Sequence, residues 1–85
     1  MLTAKEAYEK YKEKWIDPAL KDITEHILKI AEKGECCCTL HKGNVLYDEM
    51  RISGVRKEIE NLGFYVAHYS RGYDDSTYFE IDWRP

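Results

Sequence analysis

The chain has 85 residues, enough for one domain whose small core is of the kind often supplemented by oligomerisation. With 44% apolar and 34% charged residues it excludes a disordered chain, and its longest apolar runs are far too short to span a membrane. A net charge of −3, with both signs interspersed, argues against a non-specific nucleic-acid binder, which needs a basic footprint.

The first eight residues, Met1 to Tyr8, carry no hydrophobic signal region. Residues 3 to about 15 read as a helix, with Ala4, Tyr8, Tyr11 and Trp15 repeating at four, three and four. Thr3 is placed to cap it, and Glu6 stands at the capping-box spacing. Asp17-Pro18 then offers an N-cap followed by a first-turn proline, so a second helix starts, or a continuous one kinks, near Pro18. Its stripe is Leu20, Ile23, Ile27 and Ile30, and Gly34 ends it. The two stripes are out of phase: continuing the first from Trp15 lands on Pro18, Asp22 and Glu25. Two readings stay open. Pro18 turns the chain so that both stripes cover one core, or residues 1–17 form an arm whose Tyr8, Tyr11 and Trp15 pack on another subunit.

Glu35 to Leu40 reads as a strand and Lys42-Gly43-Asn44 as a turn. Val45 to Arg51 fits either a second strand or the opening turn of the next helix, which is firm from about residue 53. In the strand reading Ser53 is the N-cap. A helix starting near residue 48 instead holds Gly54 in its interior, at about 1 kcal/mol against alanine. Ile52, Val55, Ile59 and Leu62 share one helical stripe, and Gly63 sits where a left-handed residue stops the helix. Strand alternation follows at once in residues 64–69, then a polar loop from Ser70 to Asp75, then a strand over 76–83. The expected fold is α+β in a single domain, residues 1–85. An N-terminal helix or helix pair precedes β-α-β-β, with a small three-stranded mixed sheet packed on helices.

The chemistry-bearing residues are sparse. The three cysteines are consecutive, Cys36 to Cys38, which suits a reducing cytoplasm better than a disulfide framework. With His41 they give too few ligands in the wrong alternation for zinc, so they read as small buried thiols packing a strand, with no metal and no cofactor. No phosphate loop, metallopeptidase motif or nucleophile-and-base grouping is present, so no enzyme is expected. His68 falls at the end of the Phe64/Val66 face. Tyr65, Tyr69 and Tyr78 fall on the opposite face with Glu80 and Asp82, either as a cross-strand ladder or as a binding face. Arg71-Gly72-Tyr73 places a cation beside an aromatic ring, a pairing that holds a phosphate and stacks a base. Tyr65, His68, Tyr69, Arg71, Tyr73 and Tyr78 are thus the candidate ligand contacts.

Ile27-x-x-Ile30-Ala31-x-x-Gly34, Ile59-x-x-Leu62-Gly63-Phe64-x-Val66 and Tyr78-x-x-Ile81-Asp82-Trp83 together resemble a pattern of small tailed-phage proteins. Those run as a long helix, a strand, a helix ending in Leu-Gly-Phe or Leu-Gly-Tyr, and a closing hairpin with Ile-x-Trp. The resemblance covers roughly residues 20 to 83, and Lys42 to Arg51 is longer than the corresponding connection. It implies a phage accessory protein in the host bacterial cytoplasm. One implied role is non-enzymatic counter-defence by a homo-oligomer, either as a sponge for a nucleotide second messenger or as a binder of a host defence protein. The other is a virion or assembly component.

Overall fold

A π-helical turn sets the phase of the whole N-terminal half. The structure, a computed structural model, describes residues 1–70 and 77–85. Helix α1 (Ala4–Tyr11) runs without a break through the π turn Lys12–Ile16 into α2 (Asp17–Glu32). Thr3 caps α1 as its spacing predicts, the Glu6 amide donating to Thr3 Oγ1 at 3.2 Å. Pro18 has no amide hydrogen and its ring crowds the carbonyl four residues back, so an α-helical ladder fails in this stretch. The chain widens by one residue just before it instead of turning. The step from half-buried Tyr11 to fully buried Ile16 is therefore five residues, and Ile16 leads into Ala19, Ile23 and Ile27 on the core side. The phase mismatch between the two stripes is absorbed by the π turn, with no change of direction at Pro18.

After Gly34 come strand β1 (Cys37–His41) and helix α3 (Val45–Met50). Asn44 caps α3, accepting from the Leu46 amide at 2.9 Å, which settles residues 45–50 as helix. Helix α4 (Val55–Asn61) follows a break at which Gly54 takes φ 95° in the N-cap position, so Gly54 lies outside the helix and Ser53 is not its cap. At the far end Gly63, at φ 101°, stops α4 and its amide donates to the Glu60 carbonyl at 3.0 Å. Strands β2 (Tyr65–Tyr69) and β3 (Tyr78–Asp82) close the fold.

The α+β architecture is as expected, with one correction to the sheet. Its order is β1-β3-β2 and both pairings are antiparallel, where a mixed sheet was expected. β3 is the one strand with no exposed residue, and it takes the central position where both of its edges are paired. β1 and β2 point the same way but never touch, because β3 lies between them. Cys38, Leu40, Val66, Phe79 and Ile81 face α2, α3 and α4 and form one core with Ile16, Ile23, Ile27, Tyr47, Met50, Val55 and Ile59. α1 buries none of its residues. Among the described residues no helix is long and apolar enough to cross a membrane.

Candidate functional site

Among the described residues, the sheet is covered on one face only. On the other, the register sets three rows of side chains across the strands: His41, Tyr78 and Tyr69; then Thr39, Glu80 and Ala67; then Cys37, Asp82 and Tyr65. The first row is an aromatic strip. The Tyr69 and Tyr78 rings stack at 5.1 Å between centroids, and His41 tilts against Tyr78 at 5.4 Å. Such geometry is worth about 0.5–1.5 kcal/mol per aromatic pair beyond burial. Glu80 sits in the middle row between the short side chains of Thr39 and Ala67. Its charge is the main reason the Tyr69 hydroxyl is held above its usual range. In the third row Asp82 accepts from the Arg84 side chain, with Nε 2.9 Å from Oδ2, and from the Arg84 amide at 2.9 Å. Those bonds to Arg84 keep the Asp82 carboxyl below the ordinary carboxylate value. Tyr65, 66% exposed, stands beside this pair.

The candidate contacts therefore separate. Tyr65, Tyr69 and Tyr78 share the open face as their alternation predicts. His68 is on the helix-covered side, at its margin, with Nε2 3.3 Å from the Tyr47 hydroxyl and its ring 4.4 Å from that of Phe79. Arg71 and Tyr73 lie outside the described residues. The thiols differ from expectation: only Cys38 is buried, and desolvation pushes it up to about 11, while Cys36 and Cys37 are exposed. Among the described residues no group of His, Cys, Asp and Glu is arranged to hold a metal ion.

Tyr8, Tyr11 and Trp15 are likewise divided by the π turn. The Tyr11 hydroxyl donates to the Ser53 carbonyl at 2.7 Å, and the Tyr8 ring is 6.3 Å from that of Tyr11. Trp15 projects on another side, 51% exposed, into a groove of about 240 Å³. Lys14, Trp15, Pro18, Ala19 and Asp22 form one wall of this groove, and Glu49 and Ile52 form the other. Lys14 Nζ lies 5.8 Å from the centroid of the Trp15 ring. Burial, reinforced by a hydrogen bond to Asp22 and by that carboxylate's charge, raises Glu49 to about 7. Glu49 Oε2 is itself fully buried and has no hydrogen-bond partner among the described residues. The sequence carried a trace of this site. Trp15, Pro18 and Asp22 are the continuation of the first stripe that failed to match the aliphatic one. The missing half, Glu49, sits on a helix whose existence the sequence left open.

Comparison with family models, with curated proteins and with solved structures gave no match.

Proposed function

We propose that this chain is a non-enzymatic, homo-oligomeric phage accessory protein acting in counter-defence, and that its open sheet face binds a host defence protein. The observation carrying this reading is the face that the described residues leave uncovered: a stacked aromatic strip beside Glu80, with Tyr65 and the Asp82–Arg84 pair at its other margin. Tyrosine supplies contact area and a hydroxyl at low entropic cost, as protein-binding surfaces require. Glu80 favours a basic partner surface over a nucleotide, whose phosphates it would repel, while the Asp82 carboxylate and the Arg84 guanidinium are engaged with each other. The nucleotide-sponge form of the proposal therefore leans on Arg71 and Tyr73. Self-association is assigned to the N-terminal segment, where Met1 and Leu2 before α1 and Tyr8 within it are exposed and α1 has no fully buried residue. The phage setting and the host cytoplasm rest on the sequence resemblance.

The test is phage plating on hosts carrying defined defence systems, with the protein expressed as wild type or as Tyr69→Ala and Tyr78→Ala. Restored plating by the wild type, lost in both variants, with no thermal shift by cyclic or ADP-ribose-type nucleotides, is the expected result. A nucleotide shift would move the ligand to the sponge class. No effect on plating, with the protein present in purified particles by mass spectrometry, would establish the virion or assembly role instead.

A further inference from the structure

We infer that the groove between Trp15 and Glu49 is a second binding site, separate from the sheet face, and that it takes an alkylammonium or guanidinium group on an aliphatic stem. Shape and chemistry agree on this class. At about 240 Å³ the groove falls below the roughly 300–1,000 Å³ of sites for drug-sized molecules, so it holds a group the size of one side chain. Pro18, Ala19 and Ile52 offer apolar contact for the stem. Trp15 offers an exposed indole face, the best of the aromatic surfaces for a cation, and Lys14 resting over it shows that the ring accepts one. Asp22 and Glu49 meet at the carboxylate end, so a cation there faces two acidic side chains.

The charged groups lining the groove are Lys14, Asp22 and Glu49, and their balance sets the pH behaviour. Glu49 loses its proton near 7, so a bound cation is strongest with both carboxylates ionised and its arrival expels that proton. Affinity therefore rises from about pH 5.5 to about pH 8.5 and levels off beyond. Lys14 is the internal competitor for the Trp15 ring.

The experiment follows the two indole N–H signals by nuclear magnetic resonance while pentylammonium, agmatine or acetyl-lysine amide is added, against sodium chloride at equal ionic strength. Trp83, packed edge-on against Phe64 with ring centroids 6.2 Å apart, serves as the internal control. The expected result is a saturable shift of Trp15 alone, weakened about tenfold in Glu49→Gln and strengthened in Lys14→Gln. Tighter binding of pentylammonium and agmatine than of acetyl-lysine amide assigns the site to a free amine; the reverse order assigns it to a lysine side chain of a protein. Equal binding by wild type and Glu49→Gln, equal shifts of Trp15 and Trp83, or no saturation at any pH would overturn the proposal.

Discussion

Glu49 carries a proton that the unfolded chain would already have released. Its carboxyl rises from 4.5 to about 7 on folding, mainly through burial. Between those values the folded state binds more protons than the unfolded one, so stability falls as pH rises through the window and stays lost above it. The side chain is only partly shielded from solvent, so the loss is on the order of 1 kcal/mol after screening. Glu49→Gln mimics the protonated form. It should melt like the wild type near pH 4.5 and several degrees higher near pH 8.5, as read by calorimetry; an advantage that does not grow with pH would refute the assignment. Two glycines make a second comparison. A Cβ on Gly54 would meet Ile16 Cδ1 at 2.9 Å, whereas one on Gly63 meets nothing, and both residues have positive φ. Gly63→Ala should cost about 1 kcal/mol, from backbone strain alone, and Gly54→Ala about 2–3 kcal/mol, in denaturant melts. Gly63 was legible in the sequence because its role is local, the end of one stripe and the start of an alternation. Gly54 was not, since its demand arises from Ile16, far away in the chain, and only packing brings the two together.

At the scale of elements the same division holds. The cap at Thr3 and the stops at Gly34 and Gly63 came through, since each depends on residues within a turn of it, whereas neither Asp17 nor Ser53 caps a helix. The phase relation of α1 and α2 was visible as a mismatch, but its resolution was not. A turn at Pro18 and a one-residue insertion before it leave the same pattern, and the choice depends on which residue the core accepts. Strand pairing was hidden for a similar reason: alternation gives each strand a face and says nothing of neighbours. The open face of the hairpin was readable, and the Trp15–Glu49 groove was only half readable, because it spans two elements. The π turn gives a sharp test by deletion. Removing the exposed Glu13 shortens the step from Tyr11 to Ile16 from five residues to four, an ordinary α-helical spacing that keeps both side chains on the core side. Removing Lys21 from α2 instead rotates Ala19 and everything before it by about 100° relative to Ile23 and Ile27. Circular dichroism should show deletion of Glu13 folding with a melting temperature near the wild type, and deletion of Lys21 largely unfolded. Equal damage from both would mean that the extra residue is not what aligns the two stripes.

The molecule as a whole is a small core with a helix projecting from it, its extents being 47 × 34 × 20 Å. At about 0.05–0.15 kcal/mol per residue a chain of this size has little stability in reserve, and a helix with no fully buried residue contributes little of it. An element ordered with so little burial in its own chain is accounted for if further burial occurs elsewhere. Association stabilises the folded state by mass action, so the melting temperature of a self-associating chain depends on its concentration. The full-length protein should therefore melt at higher temperature as concentration rises over about a hundredfold range, with a parallel increase in mass by light scattering. A chain beginning at Lys10 keeps Tyr11, Ile16 and the whole core. It should melt at the dilute full-length value at every concentration and scatter as a monomer. Tyr65→Lys and Tyr69→Lys separate the two surfaces: if α1 alone mediates self-association, both keep the concentration dependence, and if the open sheet face mediates it, both lose it while the truncated chain does not. A flat melting temperature for the full-length chain would remove the oligomer from the proposal and leave α1 as a helix held by its own backbone, by Tyr11 and by continuity with α2.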